Sequence, residues 1–279
     1  MNYKKKNVVF FSVILVLCLL ISVIIYTYIG GGSKEVKAAK QFVRVINHND
    51  LVENIDVDNF SFKSIAKSDL AGDKDFYSLE DENFRIDVDG DYNVIGFSNN
   101  ISKVGEVLIS EDKAIELGEK YLKYIYEGDI KFKEFMKENS EIKSPYYTLI
   151  FTKIEDGYPF YSDEVMIGID KTNGKMDSYA NSTSQRNPKR VKIKKNQEQA
   201  NEIAKEAFAK INSEPEIIED NFKAFCDNKE SRETELCYIV TVKGKDLEGN
   251  EIKIKYFVST ETGKIINFEK DKITETISN

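Results

Sequence analysis

The sequence predicts an α+β protein in which an N-terminal transmembrane helix is followed by two to three tandem modules, each a helix packed on an antiparallel sheet. Three observations predict this class: an uncharged apolar run near the N-terminus, amphipathic helical patterns followed by short strands, and a helix-and-hairpin pattern that recurs along the chain. Each copy of a recurring pattern corresponds to one structural unit, so the repeat determines the predicted domain organisation.

The N-terminus has the pattern of a membrane anchor. Lys4, Lys5 and Lys6 precede Val8–Ile29, a run of 22 residues without a charged side chain. At about 1.5 Å per residue, such a helix crosses a hydrocarbon core of about 30 Å. A cleaved signal peptide usually has a shorter apolar region of about 7–15 residues, which favours an uncleaved anchor. We therefore predict a single-pass cell-membrane protein with a cytoplasmic tail over residues 1–7, a transmembrane helix over 8–29 and the remaining chain outside.

The charge balance of the external part argues against nucleic acid as a partner. The 40 basic residues of the chain, less the three that precede the apolar run, leave 37 against 48 acidic residues, a net charge of −11. Nucleic-acid binding requires a basic surface that neutralises phosphates.

The first module is predicted over residues 30–105. Val36, Ala39, Val43 and Ile46 recur at helical spacing and would form one apolar helix face. The segment Phe84–Phe97 has the pattern of a hairpin that turns at Asp89 and Gly90.

The second and third modules, predicted over residues 106–185 and 196–279, match each other more closely. Their helices have apolar or small residues in one register at a constant offset of 86 positions. The matched pairs are Ala114 and Ala200, Leu117 and Ile203, Gly118 and Ala204, Tyr121 and Ala207, and Ile125 and Ile211. Their closing hairpins also match, since Ile169–Met176 (IDKTNGKM) corresponds to Val258–Ile265 (VSTETGKI). These two segments predict the same unit twice.

A basic segment over residues 186–195 connects these modules. One hypothesis is that it contacts an anionic wall polymer or lipid headgroups. The alternative is a solvated linker whose lysines prevent edge-to-edge strand pairing. The candidate polyanion-binding residues are Lys189, Arg190, Lys192, Lys194 and Lys195.

Cys226 and Cys237 are the only cysteines after the apolar run, and they flank a polar stretch typical of a long hairpin loop. A disulfide bond is compatible with an external location. It would close a loop of about 12 residues and contribute roughly 3 kcal/mol in the chain-entropy model. The alternative is two free thiols on facing strands.

No motif predicts a metal, a cofactor or an assembled catalytic site. His48 is the only histidine, and it lies in a cluster of Asn and Asp that ends a helix. Asp87, Asp89 and Asp91 resemble the start of a calcium loop, but an EF-hand needs Gly where the chain has Tyr92. Asp/Glu pairs suited to glycoside hydrolysis remain open, because their separation is not visible in the sequence.

An aromatic cluster follows the turn at Asp156 and Gly157. Tyr158, Phe160 and Tyr161 are candidate partner-binding residues, because aromatic side chains are enriched in interface hot spots. The alternative is that Pro159 and Phe160 pack back on the sheet.

The motifs of the second and third modules resemble known repeat families. The segments SEDKAIELG at Ser110, YYTLIF at Tyr146, DGYPF at Asp156 and IGIDKTNGKMDSY at Ile167 are similar to a YcdB/YcdC-type repeat. The third module, with YIVTV at Tyr238 and FVSTETGKI at Phe257, resembles the related PepSY domain. The resemblance covers roughly residues 107–270, and the first module is a divergent possible member.

The resemblance implies a helix on an antiparallel sheet, export or membrane anchoring, and a role in binding or in regulating peptidases. We therefore expect a non-enzymatic module that regulates or stabilises an exported peptidase or cell-wall hydrolase. The alternatives are a structural envelope protein that contacts anionic wall polymer, and a wall hydrolase that uses an Asp/Glu pair.

Overall fold

The structure is a computed structural model of the 279-residue chain. It describes residues 34–56, 63–65, 76–100, 105–137, 144–184, 186–218, 221–228 and 231–271. The predicted cytoplasmic tail (1–7) and transmembrane helix (8–29) lie outside these ranges. Within them, no helix is both long and apolar enough to span a bilayer.

The described elements confirm the α+β class. Three helices span Lys34–His48 (α1), Glu111–Ile125 (α2) and Gln197–Ala209 (α3). The first eight strands are Lys63–Ile65 (β1), Phe76–Glu80 (β2), Phe84–Asp89 (β3), Val94–Asn99 (β4), Asp129–Phe135 (β5), Tyr146–Glu155 (β6), Tyr158–Asp170 (β7) and Met176–Asn181 (β8). The other five are Ser213–Ile217 (β9), Phe222–Asn228 (β10), Glu233–Lys245 (β11), Glu251–Ser259 (β12) and Ile265–Asp271 (β13).

The chain divides into two compact units. Of the described residues, unit 1 contains those within 34–126, 136–149 and 166–181, and unit 2 contains those within 127–135, 150–165 and 182–271. The hairpin of β6 and β7 is shared, because its base belongs to unit 1 and its tip to unit 2. The module boundaries predicted from the repeat differ from these units, because each predicted module contains one helix and the hairpin that follows it. Those module boundaries stay a prediction.

Unit 1 has an antiparallel sheet with the order β1-β2-β3-β4-β8, and the base of β7 follows β8. Helix α1 packs on this sheet through the predicted apolar face, of which Ala39, Val43 and Ile46 are fully buried. The ring of Phe42 lies 6.0 Å from Phe97 on β4 and 6.1 Å from Tyr179 on β8. The core of unit 1 is therefore on the α1 face of the sheet.

In unit 2, helix α3 packs on β9, β11 and β12. The helix begins with a capping box, because the Asn196 side chain accepts from Gln199 N and the Gln199 side chain accepts from Asn196 N. Phe208 is fully buried in a core with Val240, Val242 and Ile254. The opposite face of this sheet has a second apolar layer with Ile239 and Phe257.

The helices that begin at Glu111 and Gln197 are fixed by the same backbone contacts. In unit 1, the amides of Leu108 and Ile109 donate to the carbonyl of Lys171, at 2.8 and 3.0 Å. The Tyr147 hydroxyl donates to the carbonyl of Ile109 at 3.1 Å. These contacts hold the chain just before α2 against the turn between β7 and β8.

Unit 2 repeats this arrangement. The amides of Lys194 and Lys195 donate to the carbonyl of Thr260, at 2.9 and 3.0 Å. The Tyr238 hydroxyl donates to the carbonyl of Lys195 at 2.9 Å. The two units therefore share these hydrogen bonds at positions where the sequence repeats.

Both closing hairpins also need glycine at one position. Gly174 and Gly263 have φ angles of +74° and +73°, a region that L side chains rarely adopt. A Cβ at Gly174 would lie 2.9 Å from Leu117, and one at Gly263 would lie 3.2 Å from Ile203. Leu117 and Ile203 are matched helix positions, so each hairpin turn packs against the same place on its helix.

Candidate functional site

An open groove of about 590 Å³ lies on the sheet of unit 1. Phe97 and Tyr179 contact α1, and side chains alternate between faces along a strand. Their neighbours in sequence therefore lie on the face away from α1. The floor of the groove consists of small side chains on two paired strands: Gly96, Ser98, Ser178 and Ala180.

Larger side chains border this floor. Phe76 on β2, Ile95 on β4 and Met166 on β7 contribute apolar surface, and Thr148 on β6 contributes a hydroxyl group. Phe76 is buried, whereas the other three are half-buried. A flat floor with apolar sides is suited to contact with a partner surface, and the groove volume is also within the range of ligand pockets, about 300–1,000 Å³.

One charged cluster lies at the groove. Arg85 Nε donates to Asp87 Oδ1 at 3.0 Å, and Arg85 Nη1 is 3.9 Å from Glu80 Oε1. The Ser78 hydroxyl also donates to Asp87 Oδ1. The guanidinium is thus balanced by two carboxylates, and the groove presents polar groups without a large excess of either charge.

Gly96 is the residue that lets β4 approach Asp87. A Cβ at this position would lie 3.2 Å from the Asp87 Cβ and 3.1 Å from its Oδ2. A side chain here would press on the carboxylate and fill the groove floor. In the sequence, Gly96 is an isolated glycine within a strand pattern, which indicates close approach but does not identify the neighbour.

The predicted aromatic cluster packs within unit 2. Phe160 is 3% exposed, and its ring lies 5.0 Å from that of Phe225. Tyr161 is half-buried, contacts the Phe257 ring edge-on at 4.7 Å and donates to Glu269 Oε2 at 2.6 Å. For Phe160, these contacts match the packing alternative.

Tyr158 is half-buried at the same location. Its ring lies 6.3 Å from that of Phe225, and the Lys223 ammonium lies 5.4 Å from its centre. Partner binding by Tyr158, Phe160 and Tyr161 stays a prediction, and the exposed parts of the two tyrosines are what a partner could reach.

The predicted basic linker runs along unit 2 and is tied to it by its backbone. The Lys189 amide donates to the carbonyl of Thr234 at 2.8 Å, and the Thr260 hydroxyl donates to the carbonyl of Lys192 at 2.9 Å. Linker and strands therefore form one ordered surface in this region.

Three of the five candidate polyanion residues pair with acidic side chains of unit 2. Lys189 Nζ is 2.5 Å from Glu233, and this exposed pair lowers the pKa of Glu233 through its hydrogen bond. Lys192 and Lys194 share Glu261, at 3.4 and 2.9 Å. Arg190 is exposed and Lys195 is half-buried. Polyanion binding by this segment stays a prediction, but it would have to compete with these ion pairs.

Cys226 and Cys237 are both buried free thiols on one face of the paired strands β10 and β11. Cys226 lies opposite Glu235 and Cys237 lies opposite Ala224, so the two cysteines are diagonal neighbours. The contact with the Cys237 thiol, together with burial, raises the pKa of Cys226. A disulfide bond would need a shorter Cβ separation than diagonal positions usually provide.

Oxidation of this pair stays a prediction with a direct measurement. If the bond predicted from the sequence forms, the register of β10 and β11 must shift, and protein isolated from its native compartment and digested without reduction yields one peptide pair linked through Cys226 and Cys237. Recovery of both cysteines as alkylated thiols would show that the bond does not form.

The remaining candidate residues have structural surroundings. His48 is the last residue of α1. Asp89 Oδ1 accepts from the amides of Asp91 and Asn93, at 2.9 and 2.8 Å, and so closes the turn between β3 and β4. Within the described ranges, no group of three or more His, Cys, Asp or Glu side chains is arranged to hold a metal ion.

Sequence analysis did not identify Asp163, a carboxylate of unit 2 that is only 6% exposed. Its Oδ2 accepts from the amide and the hydroxyl of Ser184, at 3.0 and 2.9 Å, and Lys153 Nζ donates to the carbonyl of Ser184 at 3.3 Å. Burial raises the pKa of Asp163, while the Ser184 hydrogen bonds and Lys153 oppose that shift. An aspartate in a strand pattern gives no signal of this burial.

The raised pKa of Asp163 predicts a pH-dependent effect of Asp163→Asn. A raised pKa means that the folded state favours the protonated carboxyl, so this contribution to stability is present at low pH and is lost as pH rises through the folded pKa. The asparagine variant has no such loss. We therefore expect the free energy of unfolding of the variant, minus that of the unchanged protein, to increase as pH rises from about 4 to 7. Urea denaturation of both proteins across this pH range measures this difference in stability. A difference that does not change with pH would contradict a raised pKa for Asp163.

Comparisons with known proteins give a likeness to solved structures alone. No family model matches the chain, and no curated protein matches it. Among solved structures, the chain is similar to the Bacillus megaterium YpeB C-terminal domain, with 20% identity and a TM-score of 0.49, over 83% of this chain and 97% of that one. The family of the chain stays a prediction from its motifs.

Proposed function

We propose that the chain is a membrane-anchored, extracytoplasmic binding module that regulates or stabilises an exported peptidase or cell-wall hydrolase. The observation that carries the proposal is the groove of unit 1, an accessible surface with a small-residue floor, apolar borders and a balanced ion pair. Protein interfaces combine such apolar cores with polar rims.

The class of partner comes from the sequence. The motifs over residues 107–270 resemble repeats that occur with secreted peptidases, and the apolar run at residues 8–29 would hold the module at the membrane. A partner at that surface would itself be exported. The apolar run lies outside the described residues, so the membrane anchor is part of this proposal. The partner is part of it as well.

The structural-envelope alternative relies on the basic linker. Arg186 pairs with Asp227 at 3.1 Å, Lys189 pairs with Glu233, and Lys192 and Lys194 pair with Glu261. A wall polymer would have to replace these internal partners. Exposed ion pairs are weak, about 0–1 kcal/mol each. A polymer that bound the linker would nevertheless have to break several of them, which favours the groove over the linker as a binding surface.

The hydrolase alternative needs an accessible acid. Asp163 has the raised pKa expected of a general acid, but its side chain is buried and bonded to Ser184. The groove contains Asp87, which is already engaged by Arg85 and Ser78. These contacts favour a binding role over acid–base chemistry at either position.

Co-purification from cell envelopes tests the proposed function. The full chain, extracted in mild detergent, is expected to retain a stoichiometric exported peptidase or hydrolase that mass spectrometry identifies. Recovery with wall polymer alone, lost after neutralising Lys189, Lys192 and Lys194, would support the structural alternative instead. Turnover of purified wall by the isolated chain, lost in Asp163→Asn or Asp87→Asn, would make it an enzyme. Either result would overturn the proposal.

A further inference from the structure

Strand β13 ends the sheet of unit 2 and has an open edge. It pairs with β12 in antiparallel register, with Tyr256 opposite Phe268 and Ile254 opposite Lys270. Within the described ranges, no other strand pairs with it. An edge strand presents a row of backbone N–H and C=O groups that another extended segment can use.

Ile265, the first residue of β13, packs against the core beneath the helix of unit 2, but Phe268 and Lys270 further along the strand are exposed. Helix α3 packs on β9, β11 and β12, and Tyr256 and Ile254 on β12 belong to the core beneath it. Phe268 and Lys270 lie on the same face because they are opposite those residues. Phe268 is 63% exposed, although its ring lies 6.5 Å from that of Tyr256.

The other face of β13 is anchored. Glu269, opposite Lys255, accepts the hydrogen bond from the Tyr161 hydroxyl at 2.6 Å. Asn267 lies opposite Phe257, in the second apolar layer. The strand is thus held from one side and along one edge, while in the described part of the chain no strand pairs with its second edge and Phe268 is largely exposed.

We propose that the open edge of β13 binds an extended peptide segment of a partner protein by strand addition. Backbone hydrogen bonds would supply affinity, and side chains on alternate positions would supply specificity. Phe268 selects an apolar side chain on the added strand, and Lys270, two positions further along the same face, selects an acidic one. This surface is separate from the groove, and the inference holds whether or not the groove binds a partner.

A peptide probe tests the edge directly. The probe is a nonapeptide with the sequence of β12, Glu251–Ser259, carrying Ile254→Glu, because β12 is the strand that β13 already pairs with and the glutamate is suited to Lys270. Amide hydrogen exchange of the full chain is measured with and without the peptide. We expect slower exchange in β13 and unchanged exchange in β11, which would speed up if the peptide displaced β12 from the sheet.

Two matched variants locate the contact. Phe268→Lys places a charge on the edge and is expected to weaken peptide binding at least about tenfold. Leu247→Lys makes the same kind of change at a residue that is 91% exposed in the turn before β12, and it is expected to leave binding unchanged. A peptide carrying Ile254→Lys is expected to bind more weakly than the glutamate peptide.

Specific outcomes would overturn the proposal. They are an absence of slower exchange in β13 at saturating peptide, equal weakening by Leu247→Lys, or faster exchange in β11. A concentration-dependent dimer of the full chain that Phe268→Lys abolishes would assign the edge to a second copy of the chain and would also overturn it.

Discussion

Phe208→Ala is expected to destabilise unit 2 by about 3–5 kcal/mol, the usual cost of replacing a fully buried phenylalanine with alanine. Phe208 is completely buried between α3 and the sheet, with Val242 and Ile252 in the same core. The site has little room to collapse, because the Phe208 ring lies 2.6 Å from where a Cβ of Gly244 would be. The substitution therefore leaves a cavity.

Phe222→Ala is the matched control for this prediction. Phe222 begins β10 in the same unit but is 46% exposed, so its replacement is expected to cost well under half as much. Urea denaturation of the full chain, with amide exchange in β11 and β12 as the probe for unit 2, measures both variants. Equal losses would mean that Phe208 does not fill the core as described.

The sequence predicted those parts of the fold that depend on local pattern. The helix faces through Val43 and Ala200, the hairpin after Phe84 and the turns at Gly174 and Gly263 all appear at the predicted positions. Each depends on spacing within about 20 residues, where periodicity, capping and glycine conformation act directly.

Long-range pairing was not predictable in the same way. Strand β9 contains Pro215, a residue that disfavours regular strand pairing because it has no backbone N–H, yet β9 pairs with β11. Strand β10 pairs with β7 in parallel through Phe225 and Phe160, residues 65 positions apart. No local pattern specifies which distant strand will be the neighbour, because register is set by packing of the whole face.

The candidate site was missed for the same reason. Gly96 and Ala180 meet only because β4 pairs with β8, and neither residue type indicates a site by itself. The acidic partners of the basic linker, Glu233 and Glu261, are likewise distant in sequence from Lys189 and Lys194. Charge runs are visible in a sequence, but the neutralising side chains across a fold are not.

Blocking the groove is expected to have the largest effect on partner binding. Ala180 is half-buried on the groove floor, opposite Gly96. An arginine at this position would fill the space that a partner side chain needs and add an unpaired charge. Ala180→Arg should weaken the partner complex by about a hundredfold or more, equivalent to roughly 2.7 kcal/mol. Ser98→Arg, which enters the same space from β4, should act alike.

The most direct test of the account compares these two variants with Ala209→Arg in a titration against the co-purified partner. Ala209 is exposed on α3, belongs to unit 2 and is not among the residues that line the groove, so it provides the same substitution as a control. Unchanged unfolding curves would establish that the variants are folded. We expect strong loss of affinity for Ala180→Arg and Ser98→Arg and none for Ala209→Arg. Full affinity of both groove variants would contradict the claim that the groove is the binding surface.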